Sequence, residues 1–201
     1  MTKKRCLILL TYLVVLSGGV LGGVLASGRL GEQRRGENEM SGNHITVDHV
    51  RRMTDKPFED VAKAFERQLG RFDPDVAKPL IAGGDIEGAR AKIEAMVGPS
   101  GFMLFGTNDH GALLRLAGQK RKAIQYVVGN PLFALQMTQH DIRAGLYAPL
   151  RALIYENEAG KTHVEYDKPS SLFGQFNDDR IAPVAAMLDR KLEDLVTTAI
   201  R

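Results

Sequence analysis

Two sets of residues in this chain have types and spacings that could do chemistry. Asp109 and His110 are adjacent in a polar stretch after an apolar run. A carboxylate beside an imidazole can orient the ring or raise its pKa, the arrangement a general base needs. The pair has no nucleophile for company, because the only cysteine is Cys6 and no Gly-x-Ser-x-Gly elbow occurs. In the competing reading Asp109 bonds its own backbone in a turn and His110 packs or caps. Met137 and His140, three apart on a helical stretch, share a face and with His110 would form a soft imidazole and thioether site suited to copper or haem. No Cys-x-x-Cys-His or comparable spacing supports such a centre, and a Met on an apolar helix face is more often core.

Two further positions concern recognition rather than reaction. Gly129-Asn130-Pro131 releases a strand, caps a helix through the Asn side chain and places Pro at the first helical position. The same helix start could hold an anionic group, although Pro131 removes one donor. Arg151 opens an otherwise apolar strand on the same face as Leu153 and Tyr155. It either pairs with a carboxylate such as Glu165 or Asp167, or recognises an anion beside Tyr155. A cleft bordered by His110, Asn130, Met137 and Arg151 is the expectation these residues set.

The elements that must position them follow from hydrophobic period and turn chemistry. His44 to Val50 alternates like a strand, with His44 and His49 on opposite sides and so unable to share a metal. Pro57 opens a helix whose Phe58, Val61, Ala62, Phe65 and Leu69 form one face. Arg71 to Gly84, with two prolines and a Gly-Gly, reads as a break before a helix over Asp85 to Val97. A short strand is expected at Phe102 to Phe105, a helical piece at Ala112 to Leu116 and a strand at Ala123 to Val128. The Asn130 helix should run through Met137 and His140. A hairpin pairs Arg151 to Glu156 with Lys161 to Asp167 across Asn157-Glu158-Ala159-Gly160, with His163 facing solvent. Val184, Leu188, Leu192, Leu195 and Ile200 then line a closing amphipathic helix, with Asp189, Arg190, Glu193 and Asp194 facing away. Such an order is α+β: one domain over 44–201, a mixed or antiparallel sheet, a late hairpin and helices packed on one face.

Residues 7–26 are an uncharged apolar run behind Lys3, Lys4 and Arg5, long enough as a helix to span about 30 Å of hydrocarbon. Residues 1–27 read as a signal anchor or a cleavable signal peptide, and 28–43 as a polar linker. Both readings put the domain outside the cytoplasm, tethered to the membrane or secreted. Gly18, Gly19, Gly22 and Gly23 form small-xxx-small pairs that could bring two such helices together, a route to a homodimer.

The chain has 201 residues, 44% apolar, with 27 Lys and Arg against 24 Asp and Glu. Lys3, Lys4, Arg5, Arg29, Arg34 and Arg35, against Glu32, Glu37 and Glu39, precede position 41, so the remainder is balanced. With 6% aromatics and no Trp, a nucleic-acid partner is not expected.

Gly129-Asn130-Pro131, then Met137, Pro149-Leu150-Arg151, Gly160, Tyr166 and Pro169, with Asp109-His110 at a strand end, resemble the family known as domain of unknown function 302. The resemblance covers about 85–169. It implies a compact α+β domain, often extracytoplasmic and in some cases dimeric, and brings no reaction or cofactor. Arg71 to Gly84 looks like an insertion relative to that family, and the Gly-Thr that often follows its Asn-Pro step is missing. The leading expectation is a module that binds or senses a small anionic or soft ligand through Asn130, Met137, Arg151 and Tyr155. The alternatives are a hydrolase or isomerase using Asp109 and His110, and a structural or oligomerisation role.

Overall fold

A hairpin seeds the sheet. β5 (Leu150–Glu156) and β6 (Thr162–Asp167) pair antiparallel, with Tyr155 opposite His163 and Leu153 opposite Glu165. At their turn Asn157 Oδ1 accepts from the backbone N–H groups of Ala159 and Lys161, and Gly160 takes φ +73°, where a side chain would be strained. β1 (His49–Thr54) adds to β6, His49 opposite Asp167. The first strand thus lies later than the alternation suggests, because its register is set by pairing with Thr162 to Asp167 rather than by its own pattern. On the other side follow β4 (Ala123–Gly129), β3 (Met103–Asp109) and the two-residue β2 (Gly70–Arg71). The order is β1-β6-β5-β4-β3-β2, antiparallel except for parallel β2 and β3. The computed structural model describes residue 42 and residues 44–201, and residues 44–201 lie within one compact unit. The expected membrane segment at 7–26 and nearly all of the linker lie outside the described residues. Among those described, no helix is long and apolar enough to cross a membrane.

Two helices cover one face of the sheet. α1 (Phe58–Glu66) buries Phe58, Val61, Ala62 and Phe65, with Glu59 and Asp60 complementing the positive end of its dipole. The last helix in the chain, Ala182–Ile200, buries Leu188, Leu192, Leu195 and Val196 against Tyr126, Val128, Ile154, Val164 and Tyr166. Its other face is not simply solvated. Asp189 accepts from Ser170 N–H at 2.9 Å, and Glu193 accepts from the Tyr166 hydroxyl and from Arg52. These carboxylates, read as facing away, meet partners from two strands and from the helix Pro169–Phe173.

The stretch read as a break contains α2 (Pro74–Ala82), followed by α3 (Ile86–Glu94). Pro74 sits at the first helical position and Asp73 caps it, accepting from Asp75 N–H at 2.9 Å. Pro79 lies inside this helix, the feature that disguises it in the sequence. Ala77 and Ile93 from these helices meet Met103 in a second, smaller core with Phe72, Met96, Val97, Phe105 and Leu132. Met103 stands opposite Gly129, whereas Val128 and Tyr126 point into the larger core. The two cores therefore occupy opposite faces of the sheet, the smaller only at the β2 and β3 end. Over β4, β5, β6 and β1 that second face remains open.

Candidate functional site

Asn130 caps α5 (Pro131–Thr138), accepting from Leu132 N–H at 2.9 Å while its amide donates to Gly101 O at 3.1 Å. Pro131 fills the first position, and Phe133 and Ala134 donate to Asn130 O. The donors at this helix start are thus taken, so it serves as structure and not as an anion cradle. α5 is apolar almost all round, which fits its place between the two cores: Leu132 packs in the smaller, Phe133 and Met137 in the larger.

Where α5 bridges them, a cleft of about 390 Å³ opens. Phe72 and Phe105 wall it from the smaller core, and Phe102, Phe173 and Leu188 from the larger. Met137, fully buried, and Ala134 close it along α5, and Pro149, after the cis Ala148–Pro149 peptide, lies on its border. With Phe133, five of the chain's eight phenylalanines line this one space. Its size falls within the roughly 300–1,000 Å³ range of small-molecule pockets, and its lining is apolar.

The expected site residues divide between this cleft and the open sheet face. Asn130 and Met137 line the cleft. Arg151 lies beyond Pro149 in a separate depression shared with Val127, Leu146 and Asp167. His110 and Tyr155 border a third hollow, of about 410 Å³, with Gln125, Leu153 and Glu165. Asp109 pairs with Ile124 while Gly129 pairs with Met103, so His110 and α5 start about 17 Å apart along β4. His110 and Met137 consequently face no common space. His140 lies past the end of α5, its Nε2 3.4 Å from the Gln139 amide. Among the described residues no cluster of three or more His, Cys, Asp or Glu could hold a metal ion.

Asp109 itself caps α4 (His110–Leu114), accepting from Ala112 N–H at 2.8 Å. Its carboxylate oxygen is directed to the helix start and not to the His110 ring. Arg151 makes no ion pair among the described residues, since both carboxylates proposed for it are taken.

Glu165 is the hub of the open face. Its carboxylate accepts from the Tyr155 hydroxyl at 2.6 Å, meets His49 Nε2 at 3.0 Å and pairs with Arg51. His49 Nδ1 lies 2.9 Å from Asp167, so one imidazole bridges two carboxylates of the neighbouring strand. Burial pushes the Glu165 carboxyl up, but the hydrogen bonds from Tyr155, Arg51 and His49 outweigh it and hold the group below its ordinary value. His49 is raised above 6.5, chiefly by the hydrogen bond to Asp167 and then by that to Glu165. His163 is buried rather than solvent-facing. It stacks on Tyr155 at 5.1 Å between ring centroids, and the Asn157 amide meets its Nε2 at 3.1 Å. Hairpin register, which puts His163 directly opposite Tyr155, explains the covering.

A largely antiparallel sheet with a parallel edge strand, backed by a long C-terminal helix and carrying an apolar cleft at its strand ends, defines a small α+β domain with a ligand-sized pocket. The chain belongs to the family described as domain of unknown function DUF302, whose model matches residues 80–199. Among solved structures it is similar to the uncharacterized conserved protein DUF302 from Bacillus stearothermophilus, with a TM-score of 0.53 and 17% identity. That likeness covers 76% of this chain and 98% of the other, and it concerns the fold alone. No curated protein matches the chain.

The five phenylalanines of the cleft escape any sequence motif. Phe72 and Phe173 are about a hundred positions apart, and only the short apolar run at Phe102 and the Asn-Pro helix start hint that rings meet there.

Proposed function

We propose that the protein is a binding module for a small, largely apolar molecule held in the cleft beneath α5. The supporting observation is the convergence of Phe72, Phe102, Phe105, Phe133, Phe173 and Met137 on one space of about 390 Å³. Packed interiors rarely leave such room, and an apolar void of this size offers its lining to an apolar guest. Met137 suits the role, since an unbranched thioether adapts to different shapes. In this reading Asn130 holds the frame of the site and Met137 touches the ligand. Arg151 and Tyr155, named with them from the sequence, lie on the open face and take no part in the cleft.

The setting we propose is extracytoplasmic, with residues 7–26 as membrane anchor or signal, supported by the uncharged run behind Lys3, Lys4 and Arg5. Protease added to spheroplasts should reach the domain; complete protection there, with digestion after lysis, overturns that location.

Binding is tested with the neutral reporter N-phenylnaphthylamine, whose emission rises in apolar surroundings. The protein should enhance it saturably, and Ala134→Phe, which adds a ring to the cleft wall, should abolish the enhancement while leaving the far-UV circular dichroism unchanged. No enhancement by the wild-type protein, or an equal one by the variant, sinks the proposal.

A further inference from the structure

One cation beside the cleft lacks a carboxylate. Lys191, half-buried on the C-terminal helix, is one turn from the cleft-lining Leu188. Its ammonium lies 5.6 Å from the centroid of Phe133, a ring that lines the cleft, and 3.4 Å from Ser100 O. The turn at Ser100 and Gly101 is the one that the Asn130 amide holds, and Gly101, at φ +85°, leaves room for the ammonium: a β-carbon there would come within 2.7 Å of Nζ. None of the ion pairs among the described residues includes Lys191. One carbonyl and one ring face leave donors of the ammonium to spare. A partly desolvated cation is short of negative charge, and the nearby helix start has no free donors with which to compete for an anion.

We infer that the cleft's ligand is an amphiphilic acid, its apolar body among the phenylalanines and its carboxylate on Lys191 at the Phe133 edge. This inference rests on the binding role proposed above and specifies the ligand's chemistry. The pocket wall and the cation are joined through Phe133, so a single molecule with an acidic head and an apolar body satisfies both. A neutral molecule of the same shape fills the cleft and leaves Lys191 as it is.

The test compares decanoate with decanol as displacers of N-phenylnaphthylamine, on the wild-type protein and on Lys191→Met, which keeps an unbranched stem and loses the charge. Wild type should bind decanoate about tenfold or more tightly than decanol, the scale of a charge-assisted hydrogen bond. Lys191→Met should lose that preference and bind decanol as before, which also reports that the variant is folded. Equal displacement by the two compounds on the wild type overturns the acid preference while leaving the apolar cleft intact. A decanoate preference that persists in Lys191→Met overturns the role of Lys191. Failure of the reporter itself to bind removes the cleft reading and this inference together.

Discussion

The cleft beneath α5 and the open face around Glu165 are built on the same strands with opposite chemistry. β4 contributes Gly129 to the first and Gln125 to the second, and β5 contributes Leu150 and Tyr155 in the same way. At the cleft, apolar rings meet from two cores and the polar side chain of Asn130 is satisfied internally. On the open face Glu165 draws in a tyrosine, an arginine and a histidine, and these bonds run between strands at a surface that water reaches. Burial is worth most where water is absent, whereas exposed ion pairs are each worth little. The difference teaches that the cleft should dominate both stability and binding, with the open face adding a smaller, pH-sensitive term.

The largest effect is expected at Phe102, fully buried where the larger core meets the cleft. Phe102→Ala should cost about 3–5 kcal/mol in urea unfolding, as truncation of buried aromatics does. A cost below about 1 kcal/mol would mean that the rings around the cleft are not packed as core. Next comes Asn130→Ala, which removes both the cap on α5 and the link to Gly101. About 2 kcal/mol of stability should be lost. Binding of N-phenylnaphthylamine should weaken as α5 loosens, and unchanged binding in a destabilised variant would show that the cleft does not depend on this cap.

Much of this arrangement could be read from residue order, and the parts that could not have a common cause. Gly129-Asn130-Pro131 announces α5 because cap and first position are local chemistry, and Asn157 to Gly160 announces the hairpin for the same reason. The α+β class and the buried stripe of the C-terminal helix follow from period alone. α2 was hidden by Pro74, Pro79 and Gly83-Gly84, although Pro74 is favourable where it sits. Glu193 looks like a solvated side chain until the Tyr166 hydroxyl arrives from β6, and His163 looks exposed until Tyr155 covers it. The expected cleft of His110, Asn130, Met137 and Arg151 dispersed because strand length separates His110 from α5 and the chain at Pro149 separates Arg151 from the cleft. Patterns along a chain report a residue's own element, and partners that arrive from another element leave no trace in them.

On the open face, Glu165→Gln should cost about 1 kcal/mol, since Tyr155 keeps an acceptor and Arg51 turns to water. Binding in the cleft should not change. A loss of N-phenylnaphthylamine binding in this variant would break the separation of the two regions.

The smallest effect carries its own signature in pH. His49 is raised above its ordinary 6.5 by Asp167 and Glu165, so its charged form is stabilised only in the folded protein. That contribution is complete below 6.5 and disappears as pH rises through the raised folded value. Glu165 works in the other direction: its folded value lies below 4.5, so its contribution is present above 4.5 and fades as pH falls through the lowered value. Between these limits imidazolium and carboxylate are both charged, and β1 is tied to β6 most firmly. His49→Gln keeps hydrogen-bonding capacity without the titration, so the melting-temperature gap between wild type and variant should be widest between about pH 5 and 6. The gap should close as pH rises through the raised His49 value, without changing sign. His49 is half exposed, and screening keeps the effect small, so added salt should narrow the gap further. A gap independent of pH would show that His49 acts through packing on the edge strand and not through its charge.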